Sequence, residues 1–139
     1  MLTRVTDLQL AALPTFARAD GELIVAQTGD EVPFPIARIF TVRASNGVTR
    51  ANHAHKLCRQ FMICTYGAVE AICDDGENRA SYQLDSGNKA LFVPASLWVS
   101  VRFEVESVLL VLCDRPYEPL DYISDYDEFI AWRREQSRR

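Results

Sequence analysis

The chain has 139 residues, 48% hydrophobic and 24% charged, which suits one globular domain (1–139) with a buried core. A net charge of −4 and a pI of about 5.1 exclude nucleic-acid binding through a broad basic surface. No apolar run approaches the roughly 20 residues of a membrane span, and Arg4 and Asp7 break up the N-terminus, so a cytoplasmic protein without membrane partners is expected.

Residues 1–16 read as an N-terminal arm or strand, with Leu8, Leu10 and Leu13 ahead of Pro14. Asp20-Gly21 signals a turn into a short strand at 22–27, and Pro33 and Pro35 keep the next residues extended. The β-branched and aromatic run 36–43 is a clear strand, and 50–55 follows it after Asn46-Gly47. Strands at 60–65 and 68–73 flank Tyr66-Gly67. Asp74-Asp75-Gly76 is the strongest hairpin signal, turning into a strand at 79–84. Further strands fall at 90–93, 97–103 and 107–113, the last almost wholly apolar and so central. Many short strands at near-regular spacing predict an all-β jelly-roll sandwich or barrel. One short helix closes the chain at 125–136. Asp125 is its N-cap with Glu128 three residues on, and arginines fill its C-terminal end, as the helix dipole favours.

Cys58, Cys64, Cys73 and Cys113 form no C-x-x-C pair, so a zinc ribbon or thioredoxin motif is absent. The last three lie in apolar strands and read as buried thiols. Cys58, near the histidines but in the polar turn Lys56-Leu57-Cys58-Arg59, reads as structural rather than nucleophilic.

His53 and His55 are the only histidines, and in a strand residues two apart share a face. Gly47, His53, His55, Gln60 and Gly67 follow the spacing of the first cupin motif, with Gln60 where most cupins carry glutamate. A neutral amide is a weak ligand for a transition metal, and no third histidine exists. No metal or other cofactor is therefore expected. Histidine titrates near pH 6.5, so two neighbouring imidazoles suit acid–base work.

The chain resembles the sugar 3,4-ketoisomerases acting on thymidine-diphosphate-linked 4-keto-6-deoxyhexoses. The likeness is carried by residues 33–40 (PFPIARIF), His53-Ala54-His55 with Gln60, Asp74-Asp75-Gly76, Pro94 with Leu97-Trp98, residues 108–112, Tyr117-Glu118 and residues 121–129 (DYISDYDEF). It spans roughly residues 7 to 132. The sequence departs from the family's pattern at Thr41, where tyrosine is usual, and at Thr49-Arg50-Ala51-Asn52, where R-R-G-x is common.

The resemblance implies a cupin-type barrel, a homodimer with exchanged strands, a nucleotide-sugar substrate and no cofactor. It implies a ketone moved from C4 to C3 through an enediol, with His53 as base and His55 passing or donating the second proton. Arg50 is then a candidate for the oxyanion or diphosphate, Gln60 for orienting a histidine or sugar hydroxyl, Trp98 for a pocket wall, and Arg102 for a sugar contact if it faces inward. Tyr122, Asp125 and Tyr126 are expected to dock the helix. The alternative, motivated by Thr41, Thr49 and Ala51, is a non-catalytic cupin that binds a nucleotide sugar or another small molecule.

Overall fold

The computed structural model describes residues 2–139. Its strands are β1 (Gln9–Ala12), β2 (Thr15–Arg18), β3 (Gly21–Ile24), β4 (Arg38–Ala44), β5 (Thr49–His55) and β6 (Gln60–Tyr66). There follow β7 (Val69–Asp74), β8 (Arg79–Leu84), β9 (Lys89–Val93), β10 (Trp98–Phe103), β11 (Ser107–Cys113) and β12 (Tyr122–Ile123). One helix, α1, spans Tyr126–Ser137. Two five-stranded sheets result, ordered β1-β9-β6-β11-β4 and β12-β5-β10-β7-β8, while β2 and β3 form a separate hairpin. All the strand pairings are antiparallel. This is the jelly-roll architecture expected from the sequence.

Period-2 patterning decides which residues lie between the sheets. Met62, Cys64, Leu91, Leu109 and Val111 from one sheet meet Val69, Ala71, Val99, Val101 and Phe103 from the other. Cutting the wholly buried Phe103 back to alanine is expected to cost about 3–5 kcal/mol. A second cluster (Leu13, Val32, Phe34, Phe61, Ile63, Ala90, Leu112) occupies the opposite side of the first sheet. The residues at 32 and 34 flank Pro33, so the proline-stiffened segment is the cover of that face.

Gly67, the last glycine of the cupin spacing, has φ +84. A Cβ there would run into the Ser107 side chain and come within 2.6 Å of the Glu106 carbonyl oxygen. Both conformation and space demand glycine. At the β7–β8 hairpin, Asp75 Oδ1 accepts from the amides of Glu77 and Asn78 at 2.9 and 2.7 Å, and its Oδ2 from Val5 at 3.0 Å. The turn thereby anchors the N-terminal arm.

Asp125 caps α1, accepting from the Glu128 amide at 3.0 Å. The helix docks through Phe129 against Ala54, Ile123 and Trp98. Trp98 meets Tyr126 edge-on at 5.4 Å and Phe129 at 5.8 Å between ring centroids. Its partner across the ladder is Ala54, whose side chain points away from those of His53 and His55. Trp98 is thus corrected from pocket wall to helix seat.

Candidate active site

The site forms at one end of the barrel, where β5 and β11 finish, β4 and β6 begin, and β12 crosses. His53 pairs with Val99, an inward-facing core residue, so His53 and His55 point between the sheets. Their rings meet edge-on at 5.1 Å. Just before them the ladder slips by one residue, and Ala51 and Asn52 adopt positive φ of 70 and 55. This is a β-bulge, a device that re-aims a strand beside a site. Asn52 Oδ1 fixes it by accepting from Ser100 Oγ at 2.8 Å.

His55 is 5% exposed and its Nδ1 lies 2.8 Å from Asp121 Oδ2. An ionised carboxylate only accepts, so Nδ1 carries the proton and Nε2 is a bare acceptor. That Nε2 is buried without a partner among the described residues. Asp121 is itself pinned, accepting from the amides of Leu57 at 2.7 Å and Cys58 at 3.3 Å. Burial lowers the pKa of His55 and outweighs the opposing pull of Asp121. Burial and the neighbouring His55 push His53 down to about 4, against the Ala51 carbonyl. Both imidazoles are neutral at physiological pH.

Tyr122 lies over both histidines, with ring centroids 4.3 Å from His55 and 5.1 Å from His53. Its hydroxyl accepts from Arg38 Nη2 at 3.4 Å, and the same nitrogen reaches Cys113 Sγ at 3.5 Å. Arg38 is flanked by Phe40 and Tyr117, and its Nε is buried without a partner among the described residues. Burial opposes its charge, but the hydrogen bonds to Cys113 and Tyr122 prevail and its pKa rises.

Asp121, Tyr122 and Arg38 are site residues that sequence reasoning did not place. Tyr122 was expected at the helix but belongs to the site, because the two-residue strand β12 pairs Tyr122 with His55. The signal available was the Asp-Tyr pair in the ketoisomerase-like run 121–129. Gln60 is buried, its Nε2 3.9 Å from Cys113 Sγ. Arg102 alternates outward from Val101 and Phe103 and pairs with Glu70 and Glu104 at 3.6 and 3.9 Å. Its conditional assignment to the sugar is therefore withdrawn. Arg50 is exposed and has no side-chain partner among the described residues. Thr41 also faces outward on β4 between the inward Phe40 and Val42. The departure there removes no hydroxyl from the site.

The family described as FdtA, WxcM-like, C-terminal matches residues 6–134. The chain belongs to the FdtA family. A TDP-4-oxo-6-deoxy-alpha-D-glucose-3,4-oxoisomerase from Aneurinibacillus thermoaerophilus is 32% identical over 111 residues, covering 78% of this chain and 80% of the relative. Among solved structures, a 3,4-ketoisomerase from Helicobacter canadensis is 32% identical with a TM-score of 0.88, covering 92% of this chain and 98% of its own. A TDP-quinovose 3,4-ketoisomerase from Campylobacter jejuni is 29% identical with a TM-score of 0.85, covering 91% and 99%. The FdtA fold and the ketoisomerase resemblance thus agree along nearly the whole chain.

Proposed function

We propose that the protein moves the keto group of a TDP-linked 4-keto-6-deoxyhexose from C4 to C3, with His53 as the base. The protein is an isomerase of TDP-sugars, and the non-catalytic alternative gives way to this reading. The observation that carries the mechanism is the pair of neutral imidazoles, one anchored by Asp121 with its other nitrogen unsatisfied.

His53 removes the C3 proton, and the electrons of that bond form the C3–C4 double bond of an enediolate. The developing negative charge on O4 falls to the Tyr122 hydroxyl, backed by the Arg38 guanidinium. The proton on O3 then passes to O4 and a second proton, the equivalent of the one taken from C3, reaches C4, restoring a ketone at C3 and a hydroxyl at C4. His55 takes part through Nε2, the acceptor left open by the bond from Nδ1 to Asp121. Positioned acid–base groups are each worth about 10²–10⁴-fold in rate. Gln60 holds the floor of the site, and Arg50 meets the diphosphate as an exposed cation three residues before His53.

The chain acts as one domain and as a cytoplasmic homodimer. Phe16 and Leu23 face each other across the β2–β3 hairpin and are 58% and 62% exposed, an apolar pair that a second copy covers. Sedimentation at micromolar concentration is expected to give twice the 15.7 kDa chain mass. Among the described residues no helix is long and apolar enough to cross a membrane.

Incubation with TDP-4-keto-6-deoxyglucose in deuterium oxide tests the activity. A 3-keto product carrying deuterium at C4 is expected. Tight binding without exchange or product would return the protein to the non-catalytic reading.

A further inference from the structure

The mechanism leaves two buried thiols unused beside His55. Cys58 is 3% exposed and Cys113 wholly buried, and they come from the bend before β6 and the end of β11. Cys113 pairs with Gln60 across the ladder, and Cys58 lies two residues from Gln60, so the two sulfurs share the barrel interior. The Cys58 thiol donates to the Arg59 carbonyl oxygen at 3.5 Å, while Cys113 Sγ accepts from Arg38 Nη2 at 3.5 Å and Gln60 Nε2 at 3.9 Å. On the other side of Cys58, its sulfur, one His55 ring nitrogen and one Asp121 oxygen all lie within 4.8 Å of one another, and all three residues are buried.

We infer that His55, Cys58 and Asp121 form an inhibitory site for a thiophilic divalent cation such as zinc, with water as the fourth ligand. The inhibitory part rests on the ketoisomerase reading above; the binding part does not. A nitrogen, an oxygen and a sulfur are a donor set that suits zinc and disfavours magnesium or calcium. Tetrahedral zinc places its donors about 3.3–3.8 Å apart. The 2.8 Å His55–Asp121 contact must open by roughly 0.5 Å and Cys58 must close by about 1 Å or less. The metal binds Cys58 as the thiolate, so binding releases the thiol proton. Two anionic donors, the Cys58 thiolate and the Asp121 carboxylate, then balance the divalent cation.

The site shares His55 with the histidine pair, while His53 and Gln60 supply no donor to it. It stops turnover through the tautomer of His55. A metal on Nδ1 replaces the proton given to Asp121 and moves that proton to Nε2. The one nitrogen open for relay becomes a donor, and His55 can no longer accept.

Titration of the purified protein with cadmium alone, then zinc, tests this. One equivalent of cadmium is expected to raise thiolate-to-metal charge-transfer absorption in the ultraviolet, and zinc is expected to abolish it by competition. Zinc is also expected to lower isomerase turnover at least about tenfold, reversed by chelator. Cys58→Ser and Cys58→Ala should keep basal turnover and bind cadmium at least about tenfold more weakly, with thermal melts confirming the fold. No charge-transfer band, or an unchanged one in both variants, would overturn the site. A band with undiminished turnover would overturn the inhibition. A protein without isomerase activity that still shows the Cys58-dependent band would refute the ketoisomerase reading while keeping the metal site.

Discussion

Asp121 Oδ2 accepts a 2.8 Å hydrogen bond from His55 Nδ1, and both side chains are 5% exposed. The contact fixes tautomer and ring orientation at once. Because the carboxylate also holds the Leu57 and Cys58 amides, it cannot swing away. Asp121→Asn is expected to lower kcat by about 10²–10⁴-fold with little change in KM. It should also cost about 1–3 kcal/mol of stability, since a buried bond is left imperfect. A kcat within twofold of wild type would show that the pair only packs.

Tyr122 contributes a ring over the histidines and a hydroxyl 3.4 Å from Arg38. Tyr122→Phe keeps the ring and removes the hydroxyl. Turnover is expected to fall by at least about tenfold while the melting temperature moves by only a few degrees. Parallel losses of turnover and stability would instead assign Tyr122 to packing.

Ala51 has φ +70, a conformation that costs an L-residue roughly 1–2 kcal/mol. It stands where the ketoisomerases commonly carry glycine. Ala51→Gly relieves that cost but frees the unfolded chain by about 0.4–1 kcal/mol. A net gain of about 0.5–1 kcal/mol is expected in denaturant titration. A loss would mean that the Ala51 methyl contributes more packing than its backbone costs.

The pH dependence differs from that of free histidine. With His53 pushed down to about 4, the base stays unprotonated well below pH 6.5. Turnover measured on folded protein should therefore hold to about pH 5 and fall only towards pH 4. Stability moves in the same direction for a separate reason. Both histidines have lower pKa values folded than unfolded, so the unfolded chain binds more protons below pH 6.5. Their contribution is full above that pH and is lost as pH falls towards the folded value. A rate profile that breaks near 6.5 with the fold intact would place His53 in a more open environment.

The strands from β4 to β11 were legible to within two residues, because most combine β-branched or aromatic residues with a Gly or Asp turn. The Asp125 cap announced the helix equally well. The histidine pair was legible too, since period-2 projection is local. What escaped depends on contacts distant in sequence. Asp121 reaches His55 across 66 residues and Arg38 reaches Tyr122 across 84. Nothing local distinguishes Asp121 from the other carboxylates in the Asp-Tyr repeats of that run. The face of Arg102 was left open and Trp98 was taken as a pocket-wall candidate, because strand parity was not fixed until Val99 and Val101 were seen in the core. The hairpin at β2–β3 went unread as a unit, its residues being mostly exposed and weakly patterned.

The central claim is that His53 is the base, and the most direct test compares His53→Asn with wild type on TDP-4-keto-6-deoxyglucose in deuterium oxide. Asparagine keeps polarity and much of the shape, so the variant is expected to fold and bind substrate. The account predicts loss of 3-keto product by at least about 10²-fold, with loss of deuterium exchange at C3. A folded His53→Asn protein with near-normal turnover or exchange would contradict it and move the base elsewhere, with His55 the first residue to examine.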